Sequence, residues 1–293
     1  MKKGINQWAF SDTRSVRECM ELAKKEGFDG IELVVTEKEK DAPGVNDGSF
    51  NWFFDYQNNE LTLDTKPADV EKLKKAADEV GIEVPSITTT LLFPIPLSST
   101  DPVTAQRARD IVRTMLDFGA ILGCESVLVV PGVVTEADSY DVVYENSRAA
   151  ISELARHAEK TGVTMAIENV WNKFLLSPIE FARFLDEVGS DSVKAYFDVG
   201  NILLYGFPNH WIKILGDRLD KIHICDFKTS VGTLDGFVNV LEGDLNYPLV
   251  VKALQEVGYD GYVTAEISPP YRHHTDVLIG DLSKKLDVIF KDC

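Results

Sequence analysis

No stretch of the chain approaches the roughly 18 consecutive apolar residues of a membrane-spanning helix. Cysteine is sparse: Cys19, Cys124, Cys225 and Cys293 show no C-x-x-C pairing. A chain of 293 residues can bury a core without covalent staples, so reduced thiols are expected, with disulfides as the lesser reading. Positive charge is in deficit, with 30 basic against 47 acidic residues and a net charge of −17. Phosphate backbones and anionic lipid surfaces attract cationic proteins, so neither nucleic acid nor membrane is an expected partner. A local basic pocket for one small phosphate remains compatible with that balance. No G-x-G-x-x-G or G-x-x-x-x-G-K-[ST] turn follows any β-rich run. The opening MKKGINQWAF turns polar and aromatic after two lysines, without a signal-type apolar core, and a cytoplasmic location is expected.

What the chain does have is alternation. Apolar β-rich runs are predicted at 4–9, 30–35, 83–90, 126–131, 163–169, 193–198, 221–226 and 262–267. Amphipathic helical runs fall between and after them, at 15–27, 67–80, 103–123, 139–161, 178–188, around 211–215, 247–257 and 277–290. Ser177 followed by Pro178 reads as an N-cap and first helical residue. Continuous apolar strands are those covered on both faces. Eight such βα units point to an α/β fold, a single-domain (β/α)₈ TIM barrel spanning 1–293, with a doubly wound sheet as the weaker alternative. Three long loops break the rhythm: 36–66, 91–101 and 229–244. The first carries Phe50, Trp52, Phe53, Phe54 and Tyr56 and is expected to act as a lid, binding loop or interface.

Functional side chains of such barrels gather at the C-terminal ends of the strands. Glu168, Asp198, His223 and Glu266 stand at or beside the ends of the fifth to eighth predicted strands. Singly, each has a bland explanation, such as a salt bridge, a turn cap or a core histidine. Together, two Glu, one Asp and one His on consecutive units form a donor set for one divalent ion of intermediate hardness. Mn²⁺ is the first expectation, with Co²⁺, Mg²⁺ and Zn²⁺ as alternatives. A carboxylate at an otherwise apolar strand end is costly unless it is paired or bound to metal.

Other positions carry weaker signals. Trp8 and Phe10 stand at the end of the first strand and could line a pocket or simply pack in the core. Glu32 closes the second strand, as a substrate contact or a salt-bridge partner. Lys228, five residues past His223, is either a substrate contact or a solvated lysine. His273 and His274 follow the eighth strand as possible extra ligands or phosphate contacts. His157 and His210 are read as having no function, and the acidic run at 37–41 as a solvated face.

The motifs GFDGIEL (27–33), IEN (167–169), FDVGN (197–201), KIHICDF (221–227), LEGDLNYPLVVKAL (241–254) and GYDGYVTAE (258–266) resemble the xylose isomerase-like barrel superfamily. Within it they resemble the sugar-phosphate isomerase/epimerase group, which includes D-tagatose 3-epimerase and L-ribulose- or L-xylulose-5-phosphate 3-epimerase. The resemblance implies that Glu168, Asp198, His223 and Glu266 hold the metal and that Glu168 and Glu266 are also the acid/base pair. It further implies a substrate-binding role for Asn201. The free-ketose epimerases tend to carry histidine three residues after the metal-binding Asp, whereas the ketose-phosphate epimerases resemble this chain in having Gly-Asn there.

The implied reaction is epimerisation or isomerisation of a ketose or ketose phosphate. A proton alpha to the carbonyl leaves, an enediolate forms, and a second carboxylate returns a proton. A dehydratase of inosose or dehydroshikimate type on the same barrel is one alternative, and a non-catalytic sugar-binding barrel another. An abasic-site endonuclease is opposed by the five histidines and the negative charge. The expected partners are a sugar or sugar phosphate and further copies of the chain, as a dimer or tetramer.

Overall fold

The computed structural model describes residues 1–10, 14–37, 60–267 and 273–291. The aromatic run at 50–56 and Cys293 lie outside the described residues. Eight parallel strands close a barrel: β1 (Lys2–Asn6), β2 (Gly30–Val34), β3 (Ser86–Thr88), β4 (Ser126–Val129), β5 (Thr164–Glu168), β6 (Val193–Asp198), β7 (Leu219–Ile224) and β10 (Tyr262–Ala265). Their order around the barrel follows the sequence, and β1 pairs with β10 to complete the circle. The two remaining strands, β8 (Asp226–Phe227) and β9 (Phe237–Val238), form a separate antiparallel ladder.

Helices α1 (Val16–Lys25), α2 (Pro67–Val80), α3 (Pro102–Leu122), α4 (Tyr140–Thr161), α5 (Pro178–Val188), α6 (Pro208–Leu215), α7 (Tyr247–Glu256) and α8 (Asp276–Phe290) pack around the strands. Their ends are written in the sequence. Ser15 and Glu18 form a reciprocal capping box at the start of α1. Ser177 accepts from the Glu180 amide, and Pro178 opens α5 as expected. Helices α2, α3 and α6 open on proline as well. Gly81 (φ 75°) and Gly162 (φ 72°) end α2 and α4 in the left-handed conformation that a side chain disfavours. Among the described residues, no helix is long and apolar enough to cross a membrane.

Strand parity decides which side chains enter the barrel. Tyr196 on β6 donates to Glu32 on β2 at 2.8 Å. Those strands are not neighbours, so the bond crosses the barrel interior. Asp198 lies two residues beyond Tyr196 and therefore faces inward too. Glu168 is in register with Tyr196, and His223 with Asp198. Thr264 is in register with His223, so Glu266, two residues on, shares the inward face one step higher. The Glu266 amide donates to the Ile224 carbonyl at 3.1 Å, fixing the residue just past the end of β10.

The structure differs from the sequence expectations in three places that bear on the site. The first strand stops at Asn6, because the Asn6 side chain accepts from the Trp8 amide and turns 7–9 into a 3₁₀ helix that carries Trp8. Glu32 lies within β2 and does not end it; Val34 does. The loop at 229–244 is ordered around the β8–β9 ladder and a 3₁₀ turn at Leu234–Gly236.

Candidate metal centre and cavity

Glu168, Asp198, His223 and Glu266 each offer one donor atom, and these atoms lie within 4.8 Å of one another. The first three are buried and Glu266 is half-buried. His223 Nδ1 is 2.9 Å from Glu168 Oε1 and 3.2 Å from Glu266 Oε2. The other ring nitrogen, Nε2, is 2.9 Å from Glu32 Oε1. Glu32 is fully buried and accepts four hydrogen bonds: from His223, Asn6 Nδ2 (2.6 Å), Ser86 Oγ (2.6 Å) and Tyr196 OH (2.8 Å).

The electrostatics follow from packing carboxylates together without water. Burial, reinforced by Glu266, pushes the Glu168 carboxyl up to about 8. Burial with Glu266 and Glu168 raises Asp198 well above the usual carboxylate range. Burial opposes charge on His223, but Glu266, Tyr196 and Glu32 outweigh it and raise the imidazole. Burial also opposes charge on Glu32, yet His223 beside it and hydroxyl donors from Ser86 and Tyr196 hold its carboxyl low. The chemistry of this donor set fits a divalent cation. Three carboxylates and an imidazole converge on one point, and a positive charge there would relieve their mutual repulsion.

Two asparagines brace the strand ends. Asn169 donates to the Asp198 carbonyl at 2.8 Å and accepts from the Asp198 amide at 2.9 Å. Asn201 donates its side-chain amide to the Asn169 carbonyl at 3.1 Å, and its backbone amide to Asp198 Oδ1 at 2.7 Å. The Trp171 indole donates to the Asn201 carbonyl at 3.0 Å. The IEN and FDVGN motifs are thus one interlocked unit that orients Asp198. Gly200 belongs to the same unit: a Cβ there would lie 2.3 Å from Cys225 Sγ.

Above the four donors opens a cavity of about 340 Å³, lined by Glu168 and Glu266 among others. Trp8 and Asn201, two of the expected substrate contacts, line it. The other two do not. Glu32 lies with no exposed surface behind His223, and Lys228 projects as an exposed residue from the loop after β8. His273 and His274 are exposed and stand outside the four-donor group. His157 pairs with Asp117 at 2.8 Å between helices α4 and α3.

Several lining residues were not anticipated: Thr88, Thr89, Thr90, Phe93, Trp171, Cys225, Asp235, Phe237 and Asn239. Cys225 was legible in principle. It lies two residues past His223, and its Sγ stands 3.5 Å from both Asp198 carboxylate oxygens. Burial and the adjacent Asp198 hold it as the thiol. Trp171, Phe227 and Phe237 pack ring against ring, with centroids 5.0–5.5 Å apart. Asn239 is 8% exposed, and among the described residues its carboxamide oxygen has no hydrogen-bond partner. An orphaned buried acceptor costs about 1–3 kcal/mol.

The loop that delivers these residues is anchored at Asp226. This buried carboxylate accepts from the Phe227 amide (2.9 Å), the Leu245 amide (3.0 Å) and Tyr247 OH (2.9 Å). Gly243 permits the approach, since a Cβ there would come within 2.3 Å of Asp226 Oδ1. The GDLNY stretch is therefore a clamp, and the clamp sets the position of β9.

Comparison with known proteins matches residues 20–280 to the xylose isomerase-like TIM barrel family model. The putative L-ribulose-5-phosphate 3-epimerase SgbU of Escherichia coli (strain K12) is 25% identical over 277 residues, 90% of this chain and 87% of that protein. A D-psicose 3-epimerase crystallised in the presence of D-fructose superposes with a TM-score of 0.76 at 17% identity, covering 98% of each chain. The IOLI protein, solved with a zinc atom, superposes with a TM-score of 0.78 at 19% identity, covering 100% of this chain and 99% of its own. At such identities the structural likeness concerns the fold.

Proposed function

The chain belongs to the xylose isomerase-like TIM barrel family, and from that membership and the site we propose a metal-dependent ketose epimerase or isomerase. One observation carries the reading: Glu168 and Glu266 both line the cavity, and both stand beside His223 Nδ1 in a group of four metal-type donors. The name of the SgbU relative supports the same class of reaction.

Glu168, Asp198, His223 and Glu266 would hold the ion, Mn²⁺ in the first instance. When bound, such an ion supplies Lewis acidity toward a substrate carbonyl oxygen. The protein's own residues do the rest. Glu168 rises from β5, and Glu266 follows β10, with β6 and β7 between them around the rim. The two carboxylates therefore reach the cavity from separate sides. One removes the proton on the carbon alpha to the carbonyl, giving an enediolate. The other returns a proton to the opposite face of that carbon, which inverts it. Return to the neighbouring carbon instead shifts the carbonyl and gives an isomerase. Phe93, Trp171 and Phe237 give the cavity an apolar wall, which would shield the enediolate from water.

The test is to incubate metal-loaded protein with a panel of ketoses and ketose phosphates in D₂O. Deuterium at one carbon with the carbon skeleton and every hydroxyl retained supports the reading. Loss of water marks a dehydratase, and binding without exchange marks a sugar-binding barrel; either sinks it.

A further inference from the structure

Resting on that reading, we propose that the segment 234–239 is the substrate-reading wall of the cavity, and that it accepts hydroxyl groups of an unphosphorylated substrate. Three observations converge. The β8–β9 ladder, pinned by the Asp226 clamp, carries this segment to the cavity, where Leu234, Asp235, Phe237, Val238 and Asn239 line it.

Asn239 supplies the second observation. Asn239 is 8% exposed and is one of the residues lining the cavity, and among the described residues its buried carboxamide oxygen lacks a partner. A buried acceptor without a donor is destabilising, and a small turn of the carboxamide toward the cavity would let a substrate hydroxyl donate to that oxygen and remove the deficit. A site built this way discriminates strongly against a ligand that cannot donate there. A fully ionised phosphate has only acceptor oxygens and cannot satisfy it.

Charge gives the third. Asp235, an exposed residue, lines the cavity, as do Glu168 and Glu266. Among the described residues, no Lys, Arg or His lines the cavity: Lys228, read from the sequence as a substrate contact, and His273 and His274, read as phosphate contacts, are exposed and outside its lining. A terminal phosphate entering beside Asp235 would meet like charge. A polyhydroxylated chain would meet acceptors on one side and the aromatic ring of Phe237 on the other. The Gly-Asn pattern at 200–201, which resembles that of the ketose-phosphate group, does not bear on this end of the cavity. Asn201 spends its amide on the Asn169 carbonyl as a brace for Asp198.

The experiment compares D-ribulose, D-fructose and D-tagatose with ribulose 5-phosphate and fructose 6-phosphate, using the metal-loaded full chain. Solvent deuterium incorporation gives kcat/KM for each. The expected result is that the free ketoses lead their phosphates by about tenfold or more. Asn239→Leu should raise KM for the preferred ketose about tenfold while kcat stays within about threefold and the melting temperature is held. Asp235→Asn should narrow the ketose-to-phosphate ratio by several-fold without altering metal affinity. A wild-type preference for the phosphates overturns the inference, as does an unchanged KM in Asn239→Leu. If deuterium enters none of the five compounds, the proposed reaction falls, and the inference is then judged by calorimetric binding of the same compounds. Tighter binding of free ketoses, weakened by Asn239→Leu, sustains it; tighter phosphate binding or no binding of any of them overturns it.

Discussion

His223 is held between two carboxylates that face different nitrogens: Glu32 lies 2.9 Å from Nε2, and Glu168 lies 2.9 Å from Nδ1. Glu32 is an all-acceptor hub, taking donors from Asn6, Ser86, Tyr196 and His223. With the Nε2 proton committed to Glu32, Nδ1 is left to serve as the metal donor among Glu168, Asp198 and Glu266. Glu32→Gln replaces one acceptor oxygen by an NH₂ group that must face existing donors. We expect metal affinity to fall about 10–100-fold, and stability to drop by about 1–3 kcal/mol. Calorimetric metal titration and denaturant unfolding measure the two effects. A shift in the ¹⁵N signals of His223 should accompany them, and unchanged signals with unchanged affinity would refute the role.

The acid/base assignment makes a separate prediction. Glu168→Gln and Glu266→Gln, each assayed at saturating metal, should lower kcat by about 10²–10⁴-fold. Each side chain closes the barrel rim without filling its apolar core, so circular dichroism should show the fold retained. Near-normal turnover in both variants would exclude the two-carboxylate mechanism.

How much of this was legible follows from what each residue depends on. Glu168, Asp198, His223 and Glu266 could be found because the signal is local: a ligand type at the end of an apolar run, repeated on successive βα units. Glu32 could be found but not understood. Its partners come from β1, β3, β6 and β7, and only closure of the barrel brings them together. Asn239 and Asp235 were hidden in a loop rich in Gly and Asp, because the ladder that orders it depends on the buried Asp226 and a tyrosine 21 residues away. The run 4–9 that contains Trp8 reads as a strand from its pattern alone. The Asn6 side chain bonds to the Trp8 amide and converts that run into a turn, and a hydropathy pattern does not register such a bond.

Metal removal should be visible in stability. The four donors form a buried group in which like charges crowd. Chelator treatment should lower the melting temperature, and Mn²⁺ should restore it. At a concentration 100 times the dissociation constant, an ion that binds only the folded state contributes about 2.7 kcal/mol. Parallel titrations with Co²⁺, Mg²⁺ and Zn²⁺ rank the ions. No stabilisation by any of them would remove the metal from the proposed function.

Gly200 offers a test of the brace around Asp198. A Cβ at this position would come within 2.3 Å of Cys225 Sγ, which itself stands 3.5 Å from the Asp198 oxygens. Gly200→Ala should therefore destabilise by about 1–3 kcal/mol through overpacking, and it should weaken metal binding by shifting the thiol that abuts Asp198. Adding Cys225→Ala removes the colliding atom. The double variant should recover most of the loss, giving a coupling of about 0.5–3 kcal/mol between the two sites. Strict additivity would mean that the strain is relieved elsewhere.

The clamp at Asp226 can be loosened without touching the cavity. Tyr247→Phe removes the hydroxyl that donates to Asp226 Oδ2 at 2.9 Å and accepts from the Leu241 amide at 3.1 Å. One oxygen of a buried carboxylate and one amide lose a partner, for a cost of about 1–3 kcal/mol. The ladder that holds β9 against the cavity depends on the same carboxylate, whereas the four metal donors stand on β5, β6, β7 and the end of β10. Tyr247→Phe should therefore raise KM while leaving kcat at saturating substrate and metal affinity close to wild type. Thermal melting, metal titration and steady-state kinetics on one preparation separate these effects. A fall in metal affinity equal to the rise in KM would show that the clamp supports the whole rim and not the substrate wall alone.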